Sequence, residues 1–488
     1  MRPLTSHRDK IANGALARLG LMTPERIDAA TALAETVATS DLETIRVLFP
    51  DQHGILRGKA ITAAALPSIL ASGMAAPSTL LLKDTSSRTV FPVWSGEAAT
   101  DADPMRGAGD ILLVPDPATF HPLPWAPHSA WLLCDAHFKS GAEIPFASRT
   151  VLRRALDQLG AQNLSLTVGL ELEFHVLERL DPAPEHADTT MPGQPPRTRP
   201  LAPGYQFLTD SLYDMLEPVM DDIRRTAQAM NMPVRSTEVE MGPSQFEVTF
   251  EPSDPMTHAD TMVMFRTMVK QLCARRGLHA TFMTRPRLDN IAASGWHLHQ
   301  SLTDTTGKNL FTPGDDGRLT PHASAWIAGL LAHAEESCLL TTPTVNGYKR
   351  YQPFQLAPDR IQWGQDNRGA MLRALMAPCD PASRIENRVP ESAANPHYVM
   401  ASQILSGLSG LARSLTAPAP CEQPYDPAAP ALPKSLAEAI AHFETGTLYR
   451  DALGQDFVAY ITRIKRAEWD RYVGALSEWE QAEYFSLF

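Results

Sequence analysis

In the stretch LTVGLELEFHVL (166–177), Glu171 and Glu173 stand two residues apart among apolar neighbours. Apolar residues alternating at a period of two predict a β-strand. Side chains at i and i+2 of a strand share one face. Two carboxylates must therefore look out of the same sheet face. An isolated Glu-x-Glu usually marks a solvated face, but Leu170, Leu172 and Phe174 require that at least one side be packed. The pattern recurs. GWHLHQSL (295–302) puts His297 and His299 on one strand face. EVEMGPSQFEV (238–248) carries Glu240 before a Gly-Pro turn and Glu247 in the strand after it. SRIENRVPE (383–391) holds Glu386 between Arg384 and Arg388 at strand spacing.

Four strand-like segments thus each bring an acid or an imidazole to one space. Anionic oxygens gathered together repel one another unless cations neutralise them. Several carboxylates with one imidazole suit hard divalent ions such as Mg²⁺ or Mn²⁺, whereas zinc would favour more His or Cys.

The formal net charge of −12 argues against nucleic acid or an anionic membrane as partner, since both are met by basic patches. Five cysteines (134, 273, 338, 379, 421) form no CxxC pair, which favours a reducing compartment. The N-terminal residues lack the apolar run of a signal peptide, and no window of about 18 apolar residues predicts a membrane span. The expectation is a cytoplasmic protein of more than one domain.

Up to about residue 145 the chain reads as short strands broken by turns. LETIRVLFPDQHGILRGKAI alternates on either side of a DQHG turn and predicts a hairpin. GDILLVPDPATF and SAWLLCDAHF are two further strands. From about 146, strands alternate with helices: TVLRRALDQLGA, residues 210–230 with Asp210 as cap, 256–276, 322–340 and the C-terminal 55 residues read as helical. Residues 181–204, rich in Pro and polar residues, read as a loop or flap. The class is α+β, with a small β-rich N-terminal domain on a larger mixed one.

At this point the chain resembles the glutamine synthetase superfamily. ELEF, EMGPSQFE, SGWHLHQSL with GKNLF, PTVNGYKRYQPFQLAP and RIENRVPESAANP carry the resemblance, with FPDQHGILRGK and GDILLVPDPATFHPLPW in the N-terminal part. It runs from about residue 40 to the C-terminus. It implies a β-grasp N-terminal domain (41–145) and a catalytic domain (146–488) with a curved antiparallel sheet backed by helices; residues 1–40 are expected to be a helical extension ahead of them. It also implies a homo-oligomeric ring, commonly two stacked hexamers forming a dodecamer, with active sites between subunits. In this family ATP phosphorylates the γ-carboxylate of glutamate, and an amine then displaces the phosphate.

Carried over by motif, Glu173, Glu240 and Glu247 would hold one metal ion, and Glu171, His297 and Glu386 a second; the expectation is two to three Mg²⁺ or Mn²⁺ per site. Arg350 and Arg388 match the positions that grip glutamate. Arg368, Arg373 and Arg384 match arginines that neutralise the ATP phosphates, with Arg368 catalytic. His299 and Ser301 match nucleotide-side positions. Asp51 matches a catalytic aspartate that a neighbouring subunit lends to the amine site. The residue types suit the reaction independently, because phosphoryl transfer needs positioning and charge neutralisation more than covalent help.

The chain departs from the glutamine synthetase pattern in two places. Those enzymes carry a flap glutamate six residues after the KR arginine, which shields the acyl phosphate and helps bind and deprotonate ammonium; Leu356 stands there. Ala292-Ala293 replaces the family's Asn-Gly, so one glutamate contact is either missing or supplied elsewhere, with Asn290 as the candidate. A leucine neither attracts a cation nor accepts a proton. The expectation is an apolar amine site walled by Leu356, Phe354 and Trp296, suited to an aniline or a small alkylamine. The alternatives are a γ-glutamylpolyamine or ethanolamine synthetase, authentic glutamine synthetase, or a catalytically silent structural or nitrogen-sensing member.

Overall fold

The computed structural model describes residues 6–94, 103–181, 183–352 and 356–488. The N-terminal part is a mixed sheet of six short strands: β1 (Thr44–Pro50), β2 (Leu56–Thr62), β3 (Met74–Pro77), β4 (Asp110–Pro115), β5 (His121–Pro122) and β6 (Ser129–His137). The order is β2-β1-β6-β4-β3, with β5 beside β6 and with β1 and β6 parallel. The expected hairpin is β1–β2. Its turn is fixed by Asp51, whose Oδ1 accepts from the His53 and Ile55 N–H groups at 2.9 and 3.0 Å. The helices His7–Ala12 and Pro24–Ala38 precede this sheet and bury Ile11, Leu33 and Val37 in the common core.

The larger sheet is built on one long strand, β7 (Leu164–Arg179), with β8 (Thr198–Pro200), β9 (Val234–Val239), β10 (Gln245–Phe250), β11 (Leu278–Thr281), β12 (Trp296–Asp304), β13 (Trp363–Gln365), β14 (Leu372–Leu375) and β15 (Arg384–Asn387). The order is β13-β14-β15-β12-β7-β10-β9, all antiparallel except β13–β14. One face is apolar. Phe174 stacks on Phe246 and Phe282 at 5.7 and 4.9 Å and meets the edge of Phe265. The helices Ser148–Gly160, Asp210–Ala229, Pro255–Arg275 and Pro396–Ala412 pack there. Alternation then leaves Glu171 and Glu173 on the other face.

The two parts are joined by buried charge. Arg149 donates to Asp135 of β6 at 2.6 Å and to Asp116, just after β4, at 2.7 Å, and to Asp260 at 2.9 and 3.1 Å in the helix Pro255–Arg275. His397 adds a 3.0 Å contact to Asp260.

Two predicted helices need correction. Residues 322–340 form two helices, Pro321–Ala332 and Ala334–Thr341, broken at His333, whose ring bonds Glu336 at 2.6 Å and Ser409 at 2.8 Å. Asp210 is the first helical residue rather than the cap; Thr209 precedes it and makes no side-chain cap bond. Among the described residues no helix is long and apolar enough to cross a membrane.

Candidate active site

Strand register assembles the site. Glu247 of β10 lies opposite Glu173 of β7, His297 of β12 opposite Glu171, His299 opposite Glu386 of β15, and Glu386 opposite Arg373 of β14. Because paired positions share a face, these side chains line one continuous polar surface. Glu240 joins from the β9–β10 turn, with one carboxylate oxygen accepting from Met241 N–H at 3.0 Å.

Three overlapping groups of potential ligand atoms result, each with all atoms within 4.8 Å: Glu173, Glu240 and Glu247; Glu171, Glu247 and His297; Glu171, His299 and Glu386. The first is the expected trio. The residues of the second expected set, Glu171, His297 and Glu386, are spread over the other two groups, with His297 Nδ1 3.2 Å from Glu171. All six predicted metal residues still converge, since His297 Nδ1 lies 3.8 Å from Glu386.

The electrostatics fit cations. Burial and the Glu240 charge push Glu173 up to about 8. Burial and the neighbouring carboxylates drive Glu247 well above its ordinary value. Carboxyls in that condition require protons or metal ions to coexist. Glu171 behaves oppositely: burial opposes ionisation, but hydrogen bonds from His297 and His299 outweigh it and hold the group well below the usual range. His297 Nδ1 faces Glu171 at 3.2 Å, leaving Nε2 toward Glu173 at 3.8 Å. A carboxylate on one ring nitrogen fixes the tautomer that presents the other nitrogen's lone pair to a metal. Burial and the Arg388 charge push His297 down to about 4, so the neutral, ligating form prevails.

Arginines close one side. Fully buried Glu386 lies between Arg373, which donates at 3.0 Å, and Arg388, which donates to its other oxygen. Against its burial, the Arg388 charge, with His297 and His299, holds Glu386 below its ordinary value. Arg373 also grips Asp366 at 2.6 and 2.9 Å. Arg384 Nε donates to His299 Nδ1 at 3.1 Å, which leaves the hydrogen on His299 Nε2 to meet Glu171 at 2.8 Å. Ser301 shares the face of His297 and His299 two residues further along β12. Arg368 is exposed in the β13–β14 loop, with no hydrogen bond or ion pair to the described residues.

Arg350 is buried and donates to the Val389 carbonyl at 3.1 Å. Its guanidinium lies against Gly295, where a Cβ would fall on it. The same glycine's N–H donates to Glu173 at 2.7 Å. Gly295 thus brings a predicted glutamate-binding arginine beside a predicted metal ligand.

The amine wall is placed only in part. Leu356 is exposed at φ +53°, an uncommon conformation for a bulky residue. Its carbonyl accepts from Arg388 at 3.4 Å. Phe354 lies outside the described residues. Trp296 does not line the site: β12 alternation turns it to the opposite face from His297, where it is fully buried opposite Leu172. Asp51 does not reach the cluster within one chain. It is buried, its carboxylate taken by the turn and by Arg57 at 2.9 Å, and its carbonyl accepts from Ser148 and Asn395. Asn290 accepts from the Tyr205 hydroxyl through its carbonyl at 3.0 Å.

Sequence reasoning passed over two supporting residues. Gln245 donates to Ser294 at 3.1 Å and to Glu173 at 3.4 Å; its position two residues before Glu247 was the available signal. Buried Glu391 accepts from Thr284 at 2.7 Å and from Thr344 N–H and Oγ1 at 2.9 and 2.8 Å, anchoring the segment that leads to Arg350.

Residues 146–484 match the glutamine synthetase catalytic domain family. A γ-glutamylanilide synthase from an Acinetobacter species is 37% identical, covering 97% of this chain and 98% of its own. A γ-glutamylethanolamide synthetase from Streptomyces coelicolor is 32% identical over 92% of this chain and 94% of its own. A solved structure of a GmaS/ADP complex superposes with a TM-score of 0.77 at 28% identity, covering 93% of this chain and 99% of that one. The chain therefore belongs to the glutamine synthetase family and is an ATP-dependent ligase.

Proposed function

We propose that the protein joins the γ-carboxylate of glutamate to a weakly basic, apolar amine, with an aniline as the leading substrate, through a γ-glutamyl phosphate. The observation that carries this reading is Leu356 in place of a flap carboxylate, exposed beside Arg388. The γ-glutamylanilide synthase among the relatives supports it.

Arg350 and Arg388 hold the glutamate, and Arg373, Arg384, His299 and Ser301 hold the nucleotide phosphates. Planar guanidinium groups suit both anions. Glu386, fixed between Arg373 and Arg388, keeps the two arginines in register. Arg368 is free to swing onto the transferring phosphoryl group, where charge develops. Glu173, Glu240 and Glu247, and the groups built on Glu171, would hold divalent ions, Mg²⁺ or Mn²⁺, which when bound neutralise phosphate oxygens.

A weakly basic amine is uncharged near neutral pH and carries its lone pair without help from a base. A flap leucine then offers hydrocarbon contact and excludes water from the acyl phosphate. In a homo-oligomeric ring, a dodecamer of two hexamers, Asp51 of one subunit orients the amine of the next. The setting is cytoplasmic.

The test is ADP release with glutamate and Mg-ATP across ammonium, methylamine, isopropylamine, ethanolamine, putrescine and aniline. Aniline should give the highest kcat/KM. A preference for ammonium or putrescine would refute the apolar-amine reading, and no ADP release with any amine would refute the ligase role itself.

A further inference from the structure

A cavity of about 470 Å³ lies between the two parts of the chain, away from the carboxylate cluster. One wall is the β1–β2 turn, Gln52 to Leu56; another is the helix Pro255–Arg275. Arg266, 8% exposed, enters from that helix. It donates to the Ser392 and Ala394 carbonyls at 3.0 and 2.8 Å and to the Gly54 carbonyl at 3.0 Å, all uncharged acceptors. Lys270 follows one turn later and also lines the cavity. Among the described residues, neither cation has a carboxylate within 4.0 Å.

That arrangement is costly as it stands. Like charges at i and i+4 repel, and a buried cation without a counter-charge is unfavourable. Burial pushes Arg266 down to about 10. The acid that acts on it, Asp51, is already engaged by Arg57. Lys465, on a further wall, is neutralised by Glu468 at 3.1 Å. Gln52 adds a second unmet demand: its Nε2 donates to the Lys83 carbonyl at 2.6 Å, while its buried Oε1 has no donor among the described residues. Phe282, Leu339, Leu340 and Ile461 supply a hydrocarbon wall, beside polar lining residues that include His53, Gln271, Thr344 and Asn395.

We propose that this cavity binds a small organic carboxylate with an apolar body and an N–H or O–H donor close to the acid group. The carboxylate sits on Arg266 and Lys270, the donor meets Gln52 Oε1, and the body lies against Leu339, Leu340 and Phe282. The volume is within the range of small-molecule sites. Arg266 also supports the turn that carries Asp51: Gly54, at φ +68°, is seated directly on its guanidinium. Occupancy therefore bears on the position of Asp51.

Benzoylglycine, an aryl carboxylate with an amide N–H, is a suitable probe, and benzoylglycinamide is its neutral control. Calorimetry on the full chain at saturating glutamate should show the acid binding and the amide at least about tenfold weaker. Lys270→Ala should weaken the acid about tenfold. Leu340→Trp should abolish binding while ligase turnover without the probe stays unchanged. Met283→Trp, at the lip of the same cavity, gives the same block if Leu340→Trp disturbs folding. Equal binding of acid and amide, binding that survives both tryptophan variants, competition by glutamate, or no heat up to roughly 10 mM would each overturn the proposal.

Discussion

Glu391→Gln tests whether burial or hydrogen bonding governs the carboxyl that anchors the Arg350 segment. Glu391 is fully buried; burial pushes it up to about 7 from 4.5, against the opposing hydrogen bonds from Thr284 and Thr344. A carboxyl raised in the folded state contributes its full stability below about 4.5, and that contribution is lost as pH rises through about 7. The rise corresponds to roughly 3 kcal/mol by pH 8. Unfolding entropy of about 2 cal/mol/K per residue makes 1 kcal/mol worth about 1 °C in a chain of this length, so the effect is about 3 °C. Gln is isosteric, keeps an acceptor and cannot ionise. The Tm difference between variant and wild type, measured by calorimetry at pH 5 and pH 8, cancels the other titrating groups. Near equality or a slight loss at pH 5 and a gain of about 3 °C at pH 8 are expected. A variant relatively less stable at pH 8 would mean that the three donors stabilise a charged Glu391, and the reasoning would fail.

Three further outcomes follow from the site. Leu356→Glu should raise kcat/KM for ammonium relative to aniline by about tenfold or more; an unmoved ratio in paired initial-rate assays would remove the flap from the account of specificity. Gly295→Ala forces a methyl group onto the Arg350 guanidinium, an overpacking worth about 1–3 kcal/mol, so the KM for glutamate should rise more than that for ATP. Arg149→Met leaves Asp116, Asp135 and Asp260 without their shared cation. A loss of about 3–5 kcal/mol is expected in urea unfolding, and a loss below 1 kcal/mol would contradict the joint's role.

The larger sheet was legible because its chemistry follows a period of two. Glu171 with Glu173 and His297 with His299 announce one face, and register then completes it. The same period puts Trp296 on the opposite face from His297, so its place in the core was readable too; the expectation followed aromatic character and overlooked alternation. Other features depend on contacts distant in sequence. His333 breaks a helix whose local pattern is continuous because its ring is held by Ser409, 76 residues on. That Glu386 lies opposite His299 depends on which strand lies beside β12. Asp51 is expected by motif to serve a neighbouring subunit; the turn and Arg57 that hold its carboxylate in place are contacts within its own chain. Arg149 looks like any helix arginine until Asp116, Asp135 and Asp260 meet around it.

The central claim is that an acyl phosphate forms on glutamate and an apolar amine displaces it. Turnover of glutamate labelled with ¹⁸O in its γ-carboxylate, with unlabelled ATP and aniline, tests that claim most directly. The γ-oxygen that attacks the terminal phosphorus leaves with it, so each phosphate released should carry one labelled oxygen, in step with γ-glutamylanilide formed. Unlabelled phosphate, or release of phosphate without the amide, would contradict the account.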